Sequence, residues 1–263
     1  MAVSALGGVT NKLIEITELA INHDVKYEEL LKQVRQRHFD VIAEVVPQHL
    51  QAQCCEVVRQ FVDDNLNGFF SMLYFNNDLP ADQVAMLRDA IVAHGEIMSS
   101  AIVTCLIEGA EPHFSPNFIK TRQADGKHLL DEALTERLIR QELGASQAQR
   151  MVIQGFIAKD ADTDHITNLG RGGSDYTAAL VAAALHADCL EIWTDVDGFM
   201  TADPRTNPDA TVIDNMTYEQ AQAMCDAGAK VIYAPTLHPV AARHIPVWVK
   251  NTFNPEARGT VIQ

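Results

Sequence analysis

TNLGRGGSDYTAALVAAALHA, residues 167–187, joins a glycine-rich turn directly to a helix rich in alanine and leucine. The turn contains three glycines, Gly170, Gly172 and Gly173. Glycine lets backbone N–H groups approach a ligand, and the N-terminus of the following helix adds positive potential. Ser174 or Asp175 suits the N-cap position. The stretch therefore predicts an anion-binding cradle with Arg171 inside it.

Apolar segments on both sides of this turn predict buried strands. Met151–Ile157 precedes it and Cys189–Thr194 follows the helix, which gives the order of a phosphate-binding βαβ unit. The amino terminus repeats the arrangement, because Met1–Leu6 predicts a strand and Gly7-Gly8 a turn before a helix at 12–21. Thr10 or Asn11 is the predicted cap of that helix. At the carboxyl ends of parallel strands, the two turns would face one crevice.

The glycine pattern also has a dinucleotide-binding interpretation. Gly170 and Gly172 fit the start of Gly-x-Gly-x-x-Gly, and Asp195 lies near the acidic position expected downstream. However, Asp175 occupies the place of the third glycine, and a carboxylate there repels a pyrophosphate unless a metal ion bridges them. The pattern therefore favours a magnesium nucleotide and phosphoryl transfer over NAD. The alternative to a ligand-binding turn is a glycine turn that only allows the chain to pack closely.

Composition limits the class of protein further. The 263 residues are 47% hydrophobic, enough for the core of one α/β domain. With 20 basic and 35 acidic residues the net charge is −15, which argues against a nucleic-acid surface. The five cysteines and ten histidines lack metal-ligand spacing, and no apolar run reaches membrane length. We expect a cytoplasmic protein with reduced cysteines that binds neither nucleic acid nor membrane.

Between the two turns the sequence is mostly helical in its periodicity. Val25–Asn77 predicts packing helices interrupted at Pro47 and Gly68, and Pro80–Gly109 predicts a long helix that carries His94-Gly95-Glu96. Glu111–Ile119 predicts a strand. The remaining predicted elements are a turn at 125–127, helices at 130–142, 217–227 and 236–244, a hairpin tip at 160–164, and strands at 247–250 and 260–262.

Taken together, the motifs resemble the catalytic domain of aspartokinases, members of the amino-acid-kinase family. The matching stretches, in order, are Ser4–Asn11, His94–Glu96, Gly155–Ile157, Leu169–Tyr176, Ile192–Gly198, Asp203–Arg205 and Gly228–Val231. Their order and spacing agree from residue 2 to about residue 262. The runs Ala187-Asp188-Cys189 and Lys250-Asn251-Thr252 are most similar to the forms fused to homoserine dehydrogenase.

The resemblance implies an α/β fold, a three-layer αβα sandwich with a mostly parallel central sheet. It implies one domain over 1–263, in which 1–150 mainly binds aspartate and 151–263 mainly binds the nucleotide. The implied reaction transfers the γ-phosphoryl group of Mg-ATP to the β-carboxylate of L-aspartate, the entry step to lysine, threonine and methionine biosynthesis. The Mg²⁺ would be held mainly through the phosphates, and a homo-oligomer is expected.

The resemblance also assigns roles to residues. The implied aspartate-binding residues are Thr10, Glu96, Phe156, Arg171 and Ser174. The implied nucleotide-binding residues are Gly172, Gly173, Thr194, Asp195, Met200, Arg205 and Lys230. Catalytic roles fall to Asp175, Arg171 and Lys230, with no metal-ligating residue set. An arginine offers a bidentate fork to a carboxylate, and a glutamate can pair with an ammonium group.

Four departures from the family pattern open a second interpretation. Nothing corresponds to the first strand of the family, Lys-Phe-Gly-Gly-Thr-Ser, whose lysine is expected at the transferred phosphate. Met200 replaces a tyrosine, Tyr233-Ala234 replaces His-Pro, and the sequence ends where regulatory ACT domains would begin. We therefore expect an aspartokinase domain from an incomplete chain, poorly soluble or self-associated and weakly active alone. The alternative is a non-catalytic relative that serves as a ligand-binding or regulatory subunit.

Overall fold

The computed structural model describes residues 1–202, 206–207 and 209–263. Five consecutive helices follow the first strand, and strands and helices are interspersed from Ala110 onward. The helices are α1 (Val9–Ile21), α2 (Lys26–Val45), α3 (Gln48–Gln60), α4 (Asn67–Phe75), α5 (Ala81–Leu106), α6 (Glu132–Glu142), α7 (Gly173–Leu185), α8 (Tyr218–Asp226) and α9 (Leu237–Ala241). A π-helical segment, Phe61–Leu66, joins α3 to α4, and short 3₁₀ turns occupy Ser115–Asn117 and Ala234–Thr236.

The strands form three hydrogen-bonded groups. They are β1 (Ala2–Val3), β2 (Ala110–His113), β3 (Lys120–Ala124), β4 (Lys127–Leu130), β5 (Arg150–Gln154), β6 (Ile157–Asp160), β7 (Ile166–Asn168), β8 (Leu190–Thr194), β9 (Asn215–Met216), β10 (Val247–Asn251) and β11 (Thr260–Ile262). Their orders are β1-β5-β2, β8-β10-β11-β9 and β4-β3-β6-β7. Of the eight strand pairings in the described residues, five are parallel. The predicted α/β fold with mostly parallel pairing is therefore confirmed.

The β1-β5-β2 sheet is parallel throughout and has helices on both sides. The α5 helix contacts all three of its strands, and α7 contacts β1 and also reaches β8 in the neighbouring sheet. The register places Ala2 opposite Ile153 and Val3 opposite Gln154. Consequently the Gly7-Gly8 turn after β1 and the Gly155-Phe156 break after β5 leave the same edge of this sheet. The predicted glycine turn at 170–173 follows β7 rather than β5.

The amino-terminal helices α1–α5 pack around one apolar core. Its fully buried side chains include Leu13, Ile16, Leu66, Phe70 and Ile91. The predicted interruption at Pro47 is confirmed, because α2 ends at Val45 and α3 begins at Gln48. The predicted interruption at Gly68 is wrong. Burial of Leu66 and Phe70 on either side outweighs the ~1 kcal/mol that a mid-helix glycine costs.

Several strands are shorter than their apolar runs. Met1–Leu6 forms a strand only at Ala2–Val3, and Glu111–Ile119 divides into β2 and a 3₁₀ turn. Met151–Ile157 is cut at Gly155-Phe156, after which β6 pairs with β3 and β7 instead. Apolar composition marks burial in each case, whereas the hydrogen-bond partner decides where a strand stops.

Both predicted helix caps are wrong in the same way. Gly172 caps α7 at φ +69°, and Ser174 and Asp175 lie in its first turn. Gly8 caps α1 at φ +81°, and Thr10 and Asn11 are already helical. Neither helix has a side-chain cap hydrogen bond. Glycine takes the cap because its backbone adopts the left-handed conformation without the Cβ clash that other residues suffer.

The prediction that no apolar run reaches membrane length is wrong, because α5 is long and apolar enough to span a bilayer, the one such helix among the described residues. However, 56% of its apolar window is buried inside the protein. It contacts α1, α3 and β5, so it is the central helix of a folded core.

Candidate active site

Glu96 provides a buried carboxylate where β1 ends. It projects from α5 and is only 4% exposed. Its Oε1 accepts a hydrogen bond from the backbone N–H of Ala5 at 3.2 Å, whereas Oε2 has no partner. Burial raises the pKa of Glu96 to about 7, although the N–H of Ala5 partly opposes this shift. A buried oxygen without a donor fits a ligand that brings a cation.

Two glycines let the backbone approach this carboxylate closely. A Cβ on Gly95 would lie 2.9 Å from the Cβ of Ala5, so glycine allows α5 to pack against the end of β1. A Cβ on Gly155 would lie 2.6 Å from the Cβ of Ser174. Since the N–H of Gly155 also donates to the carbonyl of Val3 at 2.9 Å, this residue links β1 to the start of α7.

Phe156 adopts a left-handed backbone conformation, with φ +67°. Its N–H donates to Thr177 Oγ1 at 3.1 Å, and its carbonyl accepts from the N–H of Leu169 at 2.8 Å. Such a conformation costs roughly 1–3 kcal/mol in a non-glycine residue and persists where the surroundings fix it. Phe156 is thereby held against Gly173, whose Cβ would lie 3.0 Å from its Cα.

The N-terminus of α7 has no side-chain cap and lies, through Gly155, at the same end of β1 as Glu96. No side chain caps this helix, so its first-turn N–H groups around Ser174 remain available to a ligand. Arg171 lies in the glycine turn, is exposed and has no ion-pair partner in residues 1–202, 206–207 and 209–263. A group that accepts a cation and a group that accepts an anion thus lie at the same end of β1.

Asp175 lies one position further into α7 and is half-buried. Burial raises its pKa, and the backbone N–H of Tyr233 partly opposes the rise. Thr10, in the first turn of α1, is half-buried next to the Gly7-Gly8 turn. Arg205, expected at the nucleotide phosphates, lies outside the described residues.

A separate cleft of about 760 Å³ is lined by three of the predicted nucleotide-binding residues. Asp195, Met200 and Lys230 line it together with Gly198 and Gly228. Thr194 ends β8 at this place, and its hydroxyl donates to Asp195 Oδ1 at 3.3 Å. The side chain of Lys230 is exposed, with no carboxylate partner in the part of the chain that the structure describes.

Tyr233 lies between the glycine turn that precedes α7 and the segment that carries Lys230 into the 760 Å³ cleft. A Cβ on Gly172 would lie 2.2 Å from the Cβ of Tyr233, so the glycine turn packs directly on this residue. Lys230 precedes Tyr233 by three residues, a span of at most ~11 Å in an extended chain. The backbone of Lys230 therefore lies within this distance of Tyr233, which contacts both the glycine turn and Asp175.

Comparison with known proteins agrees with this geometry. A sequence profile described as the amino acid kinase family matches residues 2–251. The chain belongs to the amino acid kinase family.

Individual relatives with similar sequences and structures include aspartokinases. Lysine-sensitive aspartokinase 3 of Escherichia coli is 31% identical over 272 residues, covering 100% of this chain and 57% of that protein. The bifunctional aspartokinase/homoserine dehydrogenase of Buchnera aphidicola is 37% identical over 181 residues, covering 67% of this chain and 22% of that protein. The crystal structure of E. coli aspartokinase III with aspartate and ADP, in the R-state, superposes with a TM-score of 0.84 at 30% identity. That match covers 99% of this chain and 57% of the other.

The chain thus spans about a quarter to three-fifths of the length of these curated relatives. Its resemblance to aspartokinases, inferred from the motifs alone, is confirmed as a family relationship. The roles assigned to single residues remain predictions.

The sequence missed residues that shape this amino acid kinase site through hydrogen bonds. Ser99 on α5 donates from Oγ to the carbonyl of Ser4, and Thr177 on α7 holds the N–H of Phe156. Tyr233 was singled out only as a departure from the family pattern. The hydrogen-bond partners of Ser99 and Thr177 lie 95 and 21 residues away in the sequence. Local periodicity therefore cannot predict these two hydrogen bonds.

No group of three or more metal-ligating side chains occurs among the residues described. Asp175 and Asp195 are single carboxylates in the two regions of the site. Magnesium is commonly bound in kinases by one or two carboxylates together with substrate phosphates. The residues therefore fit a Mg-nucleotide substrate.

The contact between Gly172 and Tyr233 supplies a stability test. Gly172→Ala places a methyl group against Tyr233 and forces a left-handed alanine, so we expect it to destabilise the fold by roughly 2–4 kcal/mol. Gly170→Ala is the matched control, because Gly170 has φ +73° but open space around its Cβ position. It should lose only the ~1–2 kcal/mol of backbone strain. Urea unfolding measures both, and equal losses would contradict the packing argument.

Proposed function

We propose that this chain catalyses the ATP-dependent phosphorylation of the β-carboxylate of L-aspartate, giving 4-phospho-L-aspartate and ADP. The observation that carries the proposal is the unpartnered Oε2 of Glu96 at the same end of β1 as the N-terminus of α7, which has no side-chain cap. This pairing of an anionic group with an anion-binding helix end suits a zwitterionic amino acid. E. coli aspartokinase III, whose structure was solved with aspartate and ADP, supplies the choice of amino acid.

In this proposal the ammonium group of aspartate binds Glu96. One carboxylate reaches the first-turn N–H groups of α7 and the guanidinium of Arg171. Thr10, Phe156 and Ser174 complete the walls of the aspartate site. Because burial raises the pKa of Glu96 to about 7, the arriving ammonium also stabilises the ionised carboxylate by its charge.

The nucleotide occupies the 760 Å³ cleft in this proposal. Thr194 and Asp195 hold one side of it and Met200 contacts the base. Lys230 binds the phosphates. Gly172 and Gly173 have no side chains, so their backbone can approach these phosphates closely. Arg205 is proposed as a further phosphate ligand. Mg²⁺ enters with the nucleotide phosphates, and Asp175 orients the cationic groups around them.

The reaction needs positioning and charge neutralisation more than proton transfer. The attacking β-carboxylate of aspartate has an ordinary pKa near ~4 and is already ionised at neutral pH, so no general base is required. Its oxygen forms a bond to the γ-phosphorus as the bond to the ADP oxygen breaks. Arg171 and Lys230 offset the charge that builds on the phosphoryl oxygens.

We further propose a cytoplasmic homo-oligomer that serves lysine, threonine and methionine biosynthesis. The cysteines in the described residues are all free, which suits a reducing compartment. Some relatives are named as chloroplastic, for example aspartokinase 2 of Arabidopsis thaliana. Fusion to homoserine dehydrogenase is stated in the name of the Buchnera relative.

The deciding experiment measures ADP release by the purified chain with L-aspartate, L-glutamate, L-asparagine and no acceptor. We expect ADP release that depends on aspartate, together with a hydroxylamine-trappable acyl phosphate. Turnover with glutamate at the same efficiency would contradict the assignment of the acceptor. Aspartate binding without ADP release would favour the ligand-binding subunit instead.

Replacement of Arg171 should weaken binding of the acceptor aspartate much more than binding of the nucleotide. Arg171→Ala should raise the KM for aspartate tenfold to a hundredfold, because a hydrogen bond to a charged group contributes about 1.5–3 kcal/mol. The KM for ATP should change by less than threefold. Arg37→Ala, on the exposed face of α2, is the matched control. Equal effects on both substrates would mean that Arg171 instead stabilises the glycine turn.

Asp175 also predicts which nucleotide binds. A carboxylate at the third glycine position repels a bare pyrophosphate, so calorimetry should show tighter binding of Mg-ATP or Mg-ADP than of NAD. Removing Mg²⁺ with a chelator should weaken ATP binding at least tenfold. Tighter binding of NAD would refute phosphoryl transfer as the reaction class.

A further inference from the structure

A second cleft, of about 550 Å³, opens on a different face of α5 from the one that bears Gly95, Glu96 and Ser99. Its floor is the row Ala90, Ala93, His94, Ile97 and Ala101, which recurs at helical spacing. The α3 helix and the π-helical segment Phe61–Leu66 form a facing wall. The α4 helix, the strands β2, β5 and β7, and Phe114 just after β2 also contribute to the lining. Nothing in the proposed kinase reaction uses this cleft.

The lining is apolar, aromatic and uncharged. No aspartate, glutamate, lysine or arginine lines it, in contrast to the aspartate and nucleotide regions. The rings of Phe61 and Phe69 stand edge-on to His94, with centroids 6.2 and 5.7 Å away. Phe114, which is 40% exposed, adds a third phenyl ring to the lining. The arrangement is typical of a site for an aromatic ring.

Burial lowers the pKa of His94, which favours the neutral imidazole. Its Nδ1 lies 2.7 Å from the carbonyl of Ala90, so Nδ1–H is the donor of that hydrogen bond. Nε2 then accepts from Asn65 Nδ2 at 3.3 Å. This fixes the orientation of the Asn65 amide and leaves its Oδ1 as an acceptor without a protein partner in the described residues.

The π-helical segment brings Asn65 and Phe61 to the cleft together. A π-helical turn is rare and frequently marks a functional site. Here it carries both the aromatic wall and the free acceptor. A volume of 550 Å³ lies within the ~300–1,000 Å³ typical of small-molecule sites.

We propose that this cleft binds an uncharged ring compound carrying one hydrogen-bond donor. The ring lies among Phe61, Phe69 and His94, and the donor reaches Asn65 Oδ1. Charged compounds are disfavoured because they lose hydration in a cleft that offers no counter-ion. The proposal concerns binding alone and stands independently of the phosphoryl-transfer reaction.

The test is calorimetric titration of the chain with 2-naphthol and with 2-naphthoate, which share a ring system and differ in charge. We expect saturable 1:1 binding of 2-naphthol and at least tenfold weaker binding of 2-naphthoate. Ala101→Phe fills the cleft from α5 and should abolish binding. Ala85→Phe, the same substitution on an exposed position of α5, should leave it unchanged.

Asn65→Ala is a second variant in case Ala101→Phe does not fold. Asn65→Ala also removes the donor to buried His94 Nε2, so we expect a folded protein with a moderately lower melting temperature, whose binding of 2-naphthol is about fivefold to tenfold weaker. Non-saturable binding, equal affinity for naphthol and naphthoate, or wild-type affinity in a folded Ala101→Phe or Asn65→Ala variant would each overturn the proposal.

Discussion

Glu96→Gln should raise the KM for aspartate on the order of a hundredfold while it stabilises the free protein at alkaline pH. The loss of affinity follows because the amide cannot offer the negative charge that the substrate ammonium needs in a buried place, a pairing that is worth about 2–5 kcal/mol. Glu96→Asp keeps the charge and should retain part of the affinity. Steady-state kinetics at pH 8 measures all three proteins.

The effect on stability has the opposite sign. The pKa of Glu96 is raised from its usual 4.5 to about 7 by burial, so between these pH values the folded protein keeps a proton that the unfolded chain has lost. Stability therefore falls as pH rises through this window. The full penalty, about 3 kcal/mol at most, is present above pH 7.

Glutamine stays neutral at every pH, so Glu96→Gln should remove this dependence. The difference in melting temperature between variant and wild type should become more positive from pH 5 to pH 8. Thermal unfolding across that range measures it. A pH-independent difference would show that Glu96 is ionised in the free protein at pH 5. Wild-type affinity for aspartate should also increase with pH through about 7, because the bound form needs the carboxylate.

Lys230→Met should lower kcat by about 10²–10³-fold, the loss typical when one preorganised charge-stabilising group is removed. Lys230 lines the 760 Å³ cleft and is exposed, with no carboxylate partner among the described residues. Its replacement should therefore leave the melting temperature within 1–2 °C of wild type, as for most surface substitutions. A loss of activity without a loss of stability would identify a role in the reaction.

The matched control is Lys32→Met, because Lys32 is exposed on α2 and lies in the amino-terminal helical layer. It should keep full activity. Lys230→Arg retains the positive charge and should recover part of the rate. If Lys230→Met turns over aspartate within twofold of wild type, another cation neutralises the transferred phosphate. In that case the placement of the nucleotide phosphates near Lys230 is wrong.

These variants test different links between the sequence and the proposed reaction. Glu96 tests recognition of the amino acid, Lys230 tests the chemical step, and Arg171 separates the two substrates. The cleft behind α5 can be tested without an activity assay. A failure of the kinase proposal would therefore leave the result with 2-naphthol unaffected.

The sequence by itself determined the helices and their order, whereas strands β3, β4, β7 and β9 were not predicted from it. The glycine turn and helix at 167–187, the helices around Pro47 and the long helix bearing His94-Gly95-Glu96 all follow from local periodicity and turn chemistry. Such signals act within a few residues, so a single chain suffices to detect them. The motif spacing also led to the family, because it preserves the order in which loops meet at one edge of a sheet.

Only the tertiary structure decided which of these residues form a site. The pKa of Glu96 depends on burial against Ala5, 91 residues away, and the positive φ of Gly172 accompanies its packing on Tyr233. Phe156 is left-handed because Thr177 and Leu169 hold its N–H and carbonyl. Desolvation and close backbone approach arise between elements that are distant in sequence, so no local pattern records them.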